Sequence, residues 1–250
     1  MLTPYDFQEN IQQRAQYIRN RLQAGSPVIG ISYENGILLL TTRRRGRKVF
    51  EIYDRLMLSA IGNQADLETL RLAAIDFAHQ EGFVRSPDDV TVQRVVGFAL
   101  SPALKKAFGD PLTTPFVVRA LFAELHSTPE RDMFYILNYD GEFTPTERFA
   151  VIAGTSTAEE QALRYLSTTI ESVPTFEKAL PVALIAWGIA REAAMQEEAE
   201  PIPESRARER LREELQEAQL EVGILERQTL RENRFRLVPA EQLQGYLRHL

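Results

Sequence analysis

The stretch "VIGISYENGILLLTT", residues 28–42, decides how this chain folds. Two apolar runs flank Glu34-Asn35-Gly36, and Asn-Gly is the dipeptide that most readily takes the positive φ of a two-residue hairpin turn. An antiparallel strand pair is therefore predicted here. Upstream, Asp6 and Glu9 have the spacing of a capping box. Phe7, Ile11, Ala15, Ile18 and Leu22 follow on one helical face, which predicts a helix over residues 6–24 that stops at Gly25. Downstream, "RLMLSAIG" reads as a further strand ending at Gly62.

Two helices are expected next. Leu67, Leu70, Ala74 and Phe77 mark one, and Val92, Val95, Val96, Ala99 and Leu100 the other, with Pro102 near its end. "FVVRALFAEL" and "MFYILNYDG" read as strands, and Asp140-Gly141 should turn the chain into "FAVIAG". Helices follow around Ala158–Thr168 and from Leu180, placed there because Pro181 costs a hydrogen bond deep in a helix. "QEEAEPIPES" is a charged connector, and "RARERLREELQEA" a narrow-striped helix expected to lie solvated on the surface. "LEVGILER" and "RFRLV" predict a last hairpin, and "AEQLQGYLRHL" a terminal helix. Strands separated by helix pairs suggest two stacked sheets with helix layers outside, an α+β architecture.

Composition narrows the function. The formal net charge is −6, which opposes a nucleic-acid partner. No apolar window reaches the length of a membrane span, and the first twenty residues lack a secretory core, so a cytoplasmic chain without membrane contact is expected. There is no cysteine, and His79, His126 and His249 are far apart, so no metal or other cofactor is expected. Against the acidic balance stands "RRRGRK", residues 43–48, five cations in six positions. Arg43, Arg44, Arg45 and Arg47 read as a solvated loop edge, where charge also deters edge pairing.

Several segments, in order, resemble the proteasome family. "QYIRNRLQAGSPVIGISYENGILLLTT" is similar to the start of an α-type subunit, and "GRKVFEIYDRLMLSAIGNQADLETL" to its next segment. "FYILNYDGEFTPTERFAVIAGTSTAEEQAL" matches its later hairpin and helix, and "LEVGILERQTLRENRFRLVPAEQLQGYL" looks like the bacterial α-type. The resemblance spans residues 6–247. It implies the N-terminal-nucleophile hydrolase fold: a four-layer αββα sandwich of two antiparallel sheets flanked by helices. The expected organisation is a tail at 1–5, a helix at 6–24 and a core at 25–195. A charged linker with a surface helix (196–218) and a hairpin with a helix (219–250) complete the same domain.

The catalytic members of that fold need a free N-terminal Thr whose own amine is the base. Here the position falls on Ser26, followed by Pro27; Thr42 stands where an acidic residue is expected, and Lys48 fills the lysine position. The helix over 6–24 blocks the amine. No catalytic residue is therefore assigned, and the resemblance implies a non-catalytic subunit of a homo-heptameric ring. Its implied partners are β-type subunits with N-terminal Thr, unfolded protein substrates and a hexameric ATPase activator. The activator's C-terminal tails would dock in a pocket holding Lys48 and Arg47. Met1, Leu2, Thr3, Pro4 and Tyr5 would form the gate. Two alternatives remain at this point: a Ser26 hydrolase released by cleavage after Gly25, and a self-assembling ring protein without a proteolytic partner.

Overall fold

The computed structural model describes residues 4–196, 200–231 and 233–248. The first helix, α1 (Pro4–Leu22), leads through a short linker into the hairpin β1 (Val28–Tyr33) and β2 (Gly36–Arg43). A second hairpin, β3 (Val49–Tyr53) and β4 (Leu56–Gly62), precedes α2 (Gln64–Val84). Helix α3 (Val92–Arg94) runs through a π-helical stretch (Val95–Leu100) into α4 (Ser101–Gly109). Strands β5 (Val118–Glu124), β6 (Met133–Leu137), β7 (Phe143–Glu147) and β8 (Phe149–Ile152) follow. Then come α5 (Ser156–Thr169), α6 (Phe176–Ala193) and α7 (Glu204–Glu214). The hairpin β9 (Gln219–Glu226) and β10 (Phe235–Leu237) and helix α8 (Ala240–Leu247) complete the order.

Two antiparallel five-stranded sheets result, ordered β10-β9-β2-β1-β8 and β3-β4-β5-β6-β7. Period-2 alternation sends Ile37 and Leu39 between the sheets and Leu38 and Leu40 outward under α5 and α6. Phe134, Leu121 and Met57 of the second sheet close the inter-sheet layer, while Leu58, Phe122 and Val118 face α2 and the π-helical stretch. The αββα sandwich is thus the arrangement that buries both faces of both sheets.

Several local expectations change. The hairpin at Asn35-Gly36 forms with Tyr33 opposite Gly36, yet neither Asn35 nor Gly36 has a positive φ. Gly36 is needed for a different reason: a Cβ there would lie 2.0 Å from the Leu225 carbonyl oxygen on β9. Pro102 does not end its helix. The wide turn bonds the Ser101 N–H to the Val96 carbonyl, five residues back, and the rod continues past the proline ring. Likewise α6 starts at Phe176 and simply contains Pro181, losing one bond near its start. Asp140-Gly141 leads first into β7, which the sequence hid because it is a polar edge strand holding Pro145. Finally α7 is not merely solvated. Ala207 and Leu211 are fully buried, and a Cβ on Gly188 of α6 would meet the Ala207 carbonyl oxygen at 2.3 Å.

The N-terminal helix is part of the fold rather than an attachment. It begins at Pro4, two residues before the expected cap, which suits proline's preference for a helix's first turn. Ile18 and Leu22 are buried in the layer between the sheets, worth about 1.5–3 kcal/mol each. Arg14 donates to the carbonyls of Asp110 (2.8 Å) and Ala107 (3.1 Å) and to that of Thr113, closing the end of α4. Arg191 of α6 holds the Ala24 carbonyl at 3.0 Å.

Candidate functional site

Two places can carry function: the start of β1 and the loop between β2 and β3. At the first, the Ser26 hydroxyl lies 2.9 Å from the Thr42 hydroxyl and 3.2 Å from that of Thr41, and it accepts the Thr42 N–H at 3.2 Å. Thr41 in turn donates to the Pro27 carbonyl at 2.8 Å, which also receives the Trp187 indole N–H at 3.0 Å. Ser26 and Thr42 thus come together as expected, but as neutral hydroxyls. No carboxylate or ammonium bonds the serine oxygen among the described residues. Its backbone nitrogen stays an amide in the link to α1, where the Gly25 N–H is bonded to the Leu22 carbonyl at 2.8 Å. Among the described residues this hydroxyl bonds only Thr41 and Thr42, and it ties the strand start together.

The second place is built on Glu221, a carboxylate on the inward face of β9, only 4 % exposed. Its Oε1 accepts the N–H groups of Lys48 (3.0 Å) and Val49 (2.8 Å), fixing the loop exit. Its Oε2 pairs with Arg43 Nε at 2.8 Å. Arg44 reaches from the loop to Glu214 (3.5 Å) and Glu217 (3.4 Å) at the end of α7, and Arg191 meets Glu214 from α6 at 3.4 Å. Arg43 and Arg44 are therefore tied down by ion pairs while Arg44 stays exposed to water, so the loop edge is solvated as expected but anchored, which the sequence reading did not foresee. Arg47 is exposed, and no ion pair joins it to a described residue.

Lys48 sits half-buried within this cluster. Burial pushes its ammonium pKa below the usual lysine value, Glu214 and Glu221 pull it back up, and Arg191 and Arg44 lower it. No described carboxylate makes a direct ion pair with the ammonium. It is a partly dry cation with spare donors, the state that favours a compact external anion. Of the five expected gate residues, Pro4 and Tyr5 begin α1, while Met1, Leu2 and Thr3 lie outside the described residues. Among the described residues no three His, Asp or Glu side chains converge as metal ligands, and no helix is long and apolar enough to cross a membrane.

Residues 22–193 match the model of the family described as proteasome subunit. The chain belongs to the proteasome subunit family. Within that family it is similar to curated proteins named proteasome subunit alpha. That of Frankia casuarinae is 27% identical over 252 residues, covering 99% of this chain and 98% of the relative. That of Streptomyces scabiei is 26% identical over 251 residues, 99% of this chain and 93% of the relative. That of Xylanimonas cellulosilytica is 30% identical over 183 residues, 71% of this chain and 72% of the relative. The chain is accordingly of the bacterial α type, the non-catalytic class of proteasome subunit, and the unactivated Ser26 is the physical counterpart of that assignment. The alternative of a Ser26 hydrolase falls with it.

For this α-type subunit, sequence reasoning selected Lys48 but missed Glu214, Glu221 and Arg191. One signal was available. Along β9, Glu221, Gly223 and Leu225 share a face, so a carboxylate stands in register with core residues. Glu214 and Arg191 carry no such signal, because only the packing of α6 against α7 brings them to the loop.

Proposed function

We propose that the Lys48 cluster is the docking site for the C-terminal tails of a hexameric ATPase activator, with Arg47 raising the potential at its rim. The observation that carries this reading is the Lys48 ammonium itself, half-buried and without a direct described ion pair. A terminal carboxylate reaching it would form a charge-assisted bond worth roughly 1.5–3 kcal/mol. Several tails on one ring multiply that through effective concentration. In this reading the subunit closes into a seven-membered ring. It stacks on β-type subunits bearing N-terminal Thr and admits unfolded chains from the cytoplasm. Residues 1–5, ahead of and entering α1, narrow the axial opening.

The test is Lys48→Ala in the particle assembled with its β-type partner. The account expects normal assembly and normal hydrolysis of short peptides, with ATPase-stimulated protein degradation lost. Unchanged stimulation would refute the docking role.

A further inference from the structure

Four cations surround the Lys48 loop (Arg43, Arg44, Lys48 and Arg191) and three carboxylates face them (Glu214, Glu217 and Glu221). The carboxylates are not equivalent. Glu221 is bonded to two backbone N–H groups and is locked in place. Glu214 accepts no described backbone N–H. It is held by side chains alone, at 3.5 Å from Arg44 and 3.4 Å from Arg191, longer than the 2.7–2.9 Å usual for a good charge-assisted bond. It is also the last residue of α7, where the negative end of the helix dipole disfavours a carboxylate. Yet its side chain is only 8 % exposed. Helix stability does not account for an acid in that position; the cations do.

We propose that Glu214 is a built-in competitor of the dock, a side-chain carboxylate that engages Arg44 and Arg191 beside Lys48 and so opposes an arriving terminal carboxylate. An arriving tail competes with Glu214 for Arg44 and Arg191 and for the field at Lys48, so Glu214 sets the strength and reversibility of docking. Glu217, sharing Arg44 from the solvent side, assists it weakly. This inference rests on the reading that Lys48 receives the tail, and the experiment separates the two.

The probe is a fluorescent octapeptide ending in Leu-Tyr-Ala with a free carboxylate, titrated onto the assembled particle, alongside the same peptide amidated. Glu214→Gln should bind the free-carboxylate peptide roughly three- to ten-fold more tightly, the effect of removing one like charge at short range. The amidated peptide should show no such gain. Glu214→Asp, which keeps the charge, should stay near wild type. Glu217→Gln, at a side chain 72 % exposed, should give a smaller gain of about two-fold and carries the test if Glu214→Gln fails to assemble. Unchanged or weaker binding by Glu214→Gln, or an equal gain with the amidated peptide, would overturn the inference. Lys48→Ala reports separately. If it binds the peptide like wild type, the docking reading itself fails. If it loses binding while the glutamate variants show no gain, only the role of Glu214 falls.

Discussion

Replacing Glu221 should loosen the Lys48 loop by an amount the geometry sets. In Glu221→Ala the N–H of Val49, in a fully buried residue, loses its acceptor, and the N–H of Lys48, in a half-buried one, loses it with partial access to water. A buried unsatisfied donor costs about 1–3 kcal/mol and a wetter one about 1, so the variant should be less stable by about 2–4 kcal/mol. Glu221→Gln keeps an acceptor for both donors but gives up the charge that Arg43 pairs with at 2.8 Å. Its loss should be nearer 1–2 kcal/mol, the difference between charged and neutral hydrogen bonds. Urea unfolding of the subunit at pH 7, followed by far-ultraviolet circular dichroism, measures both. The same variants, assembled into particles, should lose activator stimulation in the same order. Values for both variants within 0.5 kcal/mol of wild type (roughly the noise for a surface substitution) would show that Glu221 does not organise the loop.

Three further outcomes follow from other contacts. Asp132 is fully buried, with Arg227 at 2.7 Å and Ser32 at 2.5 Å, so Asp132→Ala should cost about 3–5 kcal/mol by stranding the arginine; a loss under 1 kcal/mol in urea would contradict this. Gly188→Ala should force α6 and α7 apart, because the new Cβ lies 2.3 Å from backbone oxygen, and protease nicking at the connector near Pro201 should speed up; unchanged nicking would mean the helices can slide. Burial raises the Glu192 carboxyl, but bonds from Arg206 (2.8 Å) and Arg210 (2.7 Å) outweigh it and hold the pKa below the ordinary 4.5. A depressed carboxylate stabilises the fold above its unfolded value and loses that contribution as pH falls through the folded one. Glu192→Gln should therefore cost on the order of 1–2 kcal/mol at pH 7 and progressively less as pH falls below 4.5, whereas a loss that does not shrink with falling pH would refute the pairing.

How far the sequence discloses this molecule depends on where each determinant lies. The strand pairs at 28–42 and 219–238 and the stripe through Ile18 and Leu22 are local periodicities, and they read correctly. The prolines mislead because a π-helical turn at Val96–Ser101 and a tolerated gap in α6 absorb them. Strand β7 escapes because an edge strand needs neither an apolar run nor every N–H. The hairpin at Asn35 is found for a partly wrong reason, since the glycine answers to β9, nearly two hundred residues later. Of the site, Lys48 is visible through its resemblance, and Glu221 through its face on β9. Glu214, Arg191 and the anchoring of Arg43 and Arg44 are tertiary facts. They follow from two helices meeting one loop, and no window of sequence holds them together.

The central claim is that this chain serves a proteasome without a nucleophile of its own. The most direct measurement is intact mass spectrometry of every chain in an actively degrading particle after treatment with an inhibitor that captures N-terminal nucleophiles. The account predicts that this chain retains the residues before Ser26 and carries no adduct, all label residing on the β-type partner. A chain beginning at Ser26 and bearing the inhibitor would contradict it.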